Sequence, residues 1–281
     1  MSTVSIENFK ETIPFYNELS LLEKKLGCEI FIVGGAVRDI LMGKVPKDMD
    51  ITAEKTSYEK AAETLGKIIK AYPVPFKDNM RLTKKGGIVI DVSKLRGASI
   101  TEDLKLRDFT INNLALSLKG ELLGDDTDIK SGIIRAASDG AFTSDPIRIL
   151  RGFRFVSSLG FDIDKDTLSL MIAEKELLKN AARERILGEI RKILSGKYIE
   201  KAVRLLDGYE ILSVFSDKRF YDTEALLRGI RHTNDFALLL SLWIKNDDFI
   251  KYLGLTNKEM KDIKAYRSIG YEKLAGKDIT G

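Results

Sequence analysis

Apolar and polar positions divide this chain into two stretches with different periodicities. In the first, Glu29–Val33 (EIFIV) is a short, apolar, β-branched run that ends at Gly34-Gly35, which predicts a strand and a turn. A helix is expected over Ala36–Met42. Asp48–Thr52 (DMDIT) alternates polar and apolar residues and predicts a second short strand. Thr56–Ala71 has helical spacing and must stop before Tyr72-Pro73-Val74-Pro75. Gly86-Gly87 opens a further strand, Ile88–Val92. Asp108–Leu118 is apolar, and period alone leaves strand and helix both open. From about Asp145 onward the spacing is helical almost throughout, as in DPIRILRGFRFVSSLG and RERILGEIRKILSG, and only Pro146 follows Pro75. The pattern therefore predicts a mixed α/β head and an all-helical remainder, with the boundary in Gly132–Gly140.

Composition narrows the chemistry. The chain has 281 residues, enough for two domains or one with a helical extension, and 44% of them are hydrophobic. No apolar run approaches the roughly 20 residues that span a bilayer. The opening MSTVSIENFKETIPFY lacks a basic and an apolar segment, so no secretory signal is expected, and a cytoplasmic protein is the expectation. Cys28 and His232 are the single cysteine and histidine, which excludes an internal disulfide, cysteine-based zinc clusters and multi-histidine metal sites. A net charge of +4 is too small to diagnose a nucleic-acid binder.

Two constellations carry candidate chemistry. Gly34-Gly35 at a strand–helix junction lets backbone N–H groups approach an anion, although an ordinary tight turn needs the same residues. Asp48 and Asp50, two apart on a strand, point to one face and repel unless a cation lies between them. Such hard oxygen ligands suit Mg²⁺, with Asp91 as a third ligand if its strand lies alongside; a solvated strand face is the alternative. A phosphate cradle followed by a carboxylate pair is the order that nucleotidyl transfer needs.

At these residues the chain resembles a known family. GGAVRD followed by PKDMDI is similar to the signature of class II tRNA nucleotidyltransferases and the related bacterial poly(A) polymerases, of the polymerase-β-like superfamily. LRDFTINNLA (106–115), DPIRILRGFRF (145–155) with LGF (159–161), and RERI…EI (183–190) resemble the family's later motifs, in order. The resemblance covers about residues 30–195. It implies an α+β fold: a nucleotidyltransferase head with a mixed β-sheet over 1–137, a helical neck over 138–200 for base recognition, and a helical body over 201–281 for RNA binding, either a truncated form or one that holds RNA with less surface.

The resemblance also implies roles. Asp48 and Asp50 would bind Mg²⁺, with Asp91 as the auxiliary catalytic carboxylate. Gly34, Gly35, Arg38 and Asn112 would hold triphosphate. Arg107 and Asp108 would read the ribose, Asp108 accepting the 2′-hydroxyl proton. Asp145 and Arg148 would pair with the base edge, and Arg151 and Arg154 join them as nucleotide-binding candidates. Asp145, Arg148 and Arg151 recur every three residues and are expected on one helix face. Asp145 before Pro146 is also a good N-cap, and the two roles are compatible.

The implied activity is addition of CMP, alone or followed by AMP, to the 3′ end of tRNA from CTP and ATP, releasing pyrophosphate. A poly(A) polymerase, an A-adding enzyme and a silent RNA-binding protein are the alternatives. Leu106 and Ser144 depart from the family, which has arginine and often glutamate there. The short segment between Asp91 and Arg107 resembles members that add only two cytidines. Ala181–Gly208 carries seven Lys/Arg against four Asp/Glu, either a stripe for RNA phosphates or a solvated helix face. Leu274–Gly281 resembles the start of a segment found in longer relatives.

Overall fold

The computed structural model describes residues 10–76, 78–84, 87–216 and 221–269. It divides into two compact units, residues 1–138 and 139–281.

The first unit is built on a seven-stranded mixed sheet. Its strands are β1 (Ile30–Val33), β2 (Asp48–Ala53), β3 (Val74–Phe76), β4 (Asn79–Thr83), β5 (Val89–Ser93), β6 (Ala115–Ser117) and β7 (Leu122–Leu123), in the order β3-β4-β5-β2-β1-β6-β7. Among the described residues only β2 and β5 pair in parallel. All four residues of β1 are buried, as expected of a central apolar strand. Pro75 is tolerated because β3 is an edge strand. Helix α1 (Tyr16–Leu26) packs on α3 (Tyr58–Ile69), which buries Ala61, Ala62, Leu65 and Ile69 and is capped by the Ser57 hydroxyl. Helix α2 (Gly35–Leu41) joins β1 to β2, and α4 (Ile100–Lys105) follows β5.

The ambiguous segment 108–118 is neither one strand nor one helix. It forms a 3₁₀ turn, Thr110–Asn112, and then β6. The Asp108 carboxylate accepts from its neighbour Phe109 N–H at 2.9 Å and from Asn112 Nδ2 at 3.0 Å. Such local side-chain bonds compete with regular structure. The strand expected from Ile88 begins at Val89; Gly86 lies outside the described residues, as does Leu274–Gly281.

The second unit is helical. Its elements include α5 (Ala141–Ser144), α6 (Arg148–Leu159), α7 (Lys165–Ala173), α8 (Arg183–Leu194), α9 (Ile199–Gly208), α10 (Thr223–Gly229), α11 (Phe236–Trp243), α12 (Asp247–Tyr252) and α13 (Asn257–Ile269). Helix α6 buries Ile149, Leu150, Phe153 and Val156 as it packs on α8 and α9. The approach just beyond α8 is close: a Cβ at Gly196 would lie 2.0 Å from the Ser157 hydroxyl oxygen. Ser157 donates to the Ile193 carbonyl at 2.6 Å, which satisfies that buried hydroxyl. In α11 every residue from Ala237 to Trp243 is buried, so this run is core.

The expectation for Asp145 is corrected here. Helix α6 starts at Arg148, its N-cap position is Ile147, and no side chain caps it. Asp145 is extended, with φ −155° and ψ 94°, at the end of α5. It therefore does not share a helix face with Arg148 and Arg151, and its carboxylate is used elsewhere.

Candidate active site

The carboxylates of the first unit are placed by strand register. In the parallel β2–β5 pair Asp50 lies directly opposite Asp91, and Asp48 is two residues before Asp50 on the same face. Asp48 is exposed and Asp50 half-buried. The Asp50 carboxyl is pushed up to about 6, first by burial, then by the Asp91 and Asp48 carboxylates, with Arg107 and Arg81 pulling the other way.

The glycine turn lies at the same end of the sheet. β1 and β2 are antiparallel, with Ile32 opposite Ile51, so one further step sets Val33 beside Asp50 and Gly34 just beyond. Gly34 has φ 65° and ψ −129°, a conformation open essentially to glycine alone. A Cβ there would lie 2.7 Å from Arg107 Nη1. Glycine thus lets the Arg107 guanidinium rest against the turn, within electrostatic reach of Asp50.

The cations around this turn are oriented by a chain of partners. Arg107 Nε and Nη2 donate to Asp103 Oδ2 at 3.0 and 2.7 Å. Arg38 Nη1 donates to Asn112 Oδ1 at 2.8 Å, and its other edge donates to Asp39. Asn112 in turn donates to Asp108, and both are buried. Gly34, Gly35, Arg38, Arg107, Asp108 and Asn112 therefore form one connected cluster. Two fixed guanidinium groups beside a glycine turn can receive phosphate oxygens.

Among the described residues no group of three or more His, Cys, Asp or Glu gathers as a ready metal cluster. Both oxygens of Asp91 accept from Arg81, from Nε at 2.8 Å and Nη2 at 2.7 Å. Asp48 and Asp50 remain as a two-carboxylate set. Such a pair fits Mg²⁺, which takes one or two carboxylates and completes its shell with water and substrate phosphates. The upward push on Asp50 is the strain that a divalent cation relieves.

In the second unit Asp145 accepts both Nη atoms of Arg185, at 2.9 and 2.8 Å. Arg148 Nη1 donates to the Ala141 carbonyl at 3.3 Å and to the Ser144 hydroxyl at 3.4 Å. Ser144, a departure from the family pattern, is thus a neighbour of Arg148. Arg154 pairs with Glu189 at 3.1 Å and lies over the Phe155 ring, which ties α6 to α8. Arg151 follows Arg148 by one turn of α6. The basic stretch 181–208 is locally balanced: Arg183, Arg185, Arg191, Lys192, Lys201 and Arg204 each pair with a carboxylate.

Three residues escaped sequence reasoning. Arg81 carries no motif and is visible only once β4 pairs with β5. Asp103 is four residues before Arg107, a helical ion-pair spacing that would have found it. Arg185 stood inside a quoted motif with no partner to give it a role.

Parts of the chain match known families. Residues 30–96 match the poly A polymerase head domain, and residues 160–216 match the family described as "probable RNA and SrmB-binding site of polymerase A". The chain is 38% identical over 180 residues to a CC-adding tRNA nucleotidyltransferase of Halalkalibacterium halodurans, covering 61% of this chain and 46% of that one. It is 29% identical over 267 residues to a CCA-adding enzyme of Oceanobacillus iheyensis, covering 84% and 66%. It spans less than two thirds of the length of these relatives. Among solved structures it is similar to the Thermotoga maritima CCA-adding enzyme complexed with tRNA, with TM-score 0.80, 26% identity, and coverage of 97% of this chain and 74% of the other. A CCA-adding enzyme in complex with CTP matches with TM-score 0.80 and 26% identity over 95% of this chain. The α+β architecture is that of the polymerase-β-like head with helical segments, and in sequence and fold the chain is similar to class II tRNA nucleotidyltransferases and bacterial poly(A) polymerases.

Proposed function

We propose that this protein adds nucleotides to the 3′ end of tRNA without a nucleic-acid template, releasing pyrophosphate. The observation that carries the reading is the position of Arg107, against the Gly34 turn and within reach of Asp50. It puts a phosphate-binding cation beside a carboxylate pair. Asp48 and Asp50 would hold Mg²⁺, which neutralises phosphate charge and lowers the pKa of the attacking hydroxyl when bound. Gly34, Gly35, Arg38 and Asn112 would orient the triphosphate, and Arg107, expected at the ribose but resting against the Gly34 turn, would join them, so most of the rate comes from positioning and charge neutralisation. Asp108 would accept the ribose 2′-hydroxyl. Asp145 and Arg148 would supply a carboxylate and a guanidinium to the base edge, with Arg151 and Arg154 supporting that helix. Catalysis is assigned to a head over 1–137, base recognition to a neck over 138–200, and RNA binding to a body over 201–281.

For specificity we favour addition of two cytidines. The segment from Ser93 to Arg107 is short and tied down: Ser99 caps α4, and Ile100 N–H donates outside the segment to Glu54, just beyond β2, at 2.7 Å. It leaves no long swinging loop of the sort that full CCA-adding members use to switch to ATP. Of the two relatives described above, one carries the CC-adding name and the other the CCA-adding name. The test supplies CTP or ATP separately to tRNAs ending before, within and after CCA. Two CMP additions and a stop are expected. AMP addition to a tRNA ending in CC would overturn the CC-only reading, and no incorporation of either would overturn the activity.

A further inference from the structure

Arg81 lies on β4, a strand that the reading above does not use. It is directly opposite Asp91 in the β4–β5 register, and Asp91 is directly opposite Asp50 in the β5–β2 register. The three side chains therefore form one row across the sheet. Arg81 donates to both Asp91 oxygens, at 2.8 and 2.7 Å, and its guanidinium lies 3.5 Å from the centroid of the Phe76 ring on β3. A guanidinium both forked and stacked is fixed in orientation, which a lysine ammonium cannot reproduce.

The row also has a charge balance. Arg107 faces Asp50 but is shared with Asp103. Arg81 is then the cation that offsets Asp48, Asp50 and Asp91, leaving two formal negative charges, the complement of one divalent cation. A site with one more negative charge would hold the ion more tightly.

We propose that Arg81 is a positioning residue that fixes Asp91 beside the Asp48–Asp50 pair and moderates the hold of that pair on its divalent cation. The inference rests on the reading of Asp48 and Asp50 as the metal pair. Without the Arg81 charge the cation binds more tightly, while Asp91 loses its orientation and turnover falls. Affinity and turnover then move in opposite directions, which partial unfolding cannot produce.

The probe is Mn²⁺ binding to the full chain without nucleotide, followed by the electron paramagnetic resonance of free Mn²⁺, alongside kcat for CMP addition. Arg81→Gln is expected to lower the Mn²⁺ Kd about fivefold at low salt. Arg81→Lys is expected to stay within about twofold of wild type in Kd, since the charge is kept, but to lower kcat, since the fork is lost. Should Arg81→Gln fold poorly, Phe76→Leu takes its place: it removes the stack, keeps the charge, and should lower kcat at unchanged Mn²⁺ affinity. Unchanged or weaker binding in folded Arg81→Gln overturns the proposal, and so does Arg81→Lys binding as tightly as Arg81→Gln, or Phe76→Leu with a changed Kd. Asp50→Asn separates the two readings: if it binds Mn²⁺ as wild type does, the metal-pair assignment fails, independently of Arg81.

Discussion

Arg185 holds both carboxylate oxygens of Asp145, at 2.9 and 2.8 Å, so the residue assigned to the base edge is already saturated by a guanidinium. A base edge must therefore share or displace that partner. Arg185 is half-exposed, and such a pair contributes about 0–1 kcal/mol to stability. Arg185→Ala should leave the melting temperature nearly unchanged while altering the ratio of kcat/KM for CTP over ATP several-fold. A variant with wild-type selectivity would show that Asp145 needs no orientation from Arg185.

Asp50 makes stability depend on pH in a direction opposite to most carboxylates. Its pKa rises from 3.8 in the unfolded chain to about 6 in the fold, so the folded state binds the proton more tightly. That contribution is fully present below the unfolded value and is lost as pH rises through about 6. In metal-free buffer, Asp50→Asn should melt at nearly the same temperature as wild type near pH 4 and clearly above it at pH 7.5. The gap corresponds to about 3 kcal/mol at most. MgCl₂ should narrow it by stabilising wild type. An equal difference at both pH values would rule out the strained carboxylate.

Gly34 tests the phosphate turn. Alanine there must adopt φ 65°, ψ −129° and place a Cβ 2.7 Å from Arg107 Nη1. Backbone strain of about 1–3 kcal/mol is expected, with Arg107 displaced. KM for CTP should rise at least about tenfold, since one well-placed charge-assisted contact is worth that much. Steady-state kinetics with a folded Gly34→Ala protein at wild-type KM would remove the turn from the triphosphate site.

Asp108 tests ribose selection. Its buried carboxylate also orders Asn112 and the Phe109 N–H, so Asp108→Ala should cost about 1–3 kcal/mol. Discrimination between CTP and dCTP should shrink together with that loss. Asn112→Ala disturbs the same network without removing the carboxylate and should preserve the discrimination. If both variants lose it alike, the effect belongs to the network rather than to Asp108.

Much of the fold was legible in the sequence because short apolar runs bounded by glycine and proline have few alternatives. β1, β2 and the helices of the second unit stand close to where periodicity places them. The family resemblance supplied what period could not, the grouping of Gly34, Asp48 and Arg107. Segment 108–118 resisted because its shape is decided by buried side-chain bonds of Asp108 and Asn112, which carry no periodic signal. Asp145 misled for a related reason: Asp-Pro is a good helix start, yet Pro146 sits before the first turn and Asp145 bonds to an arginine 40 residues away. Arg81 shows the limit most clearly, since its meaning depends on which strand becomes its neighbour.

The parallel pairing of β2 with β5, the only one among the described residues, has a consequence for how the site comes into being. It joins aspartates about forty residues apart, through a crossover that includes α3 and a hairpin. A slip of one residue would turn Asp91 to the opposite face of the sheet. Pairing at such separation is entropically costly and forms late in folding. The acidic row therefore comes together only when the head has completed its sheet, and a nascent or misregistered chain carries the same residues without assembling the site.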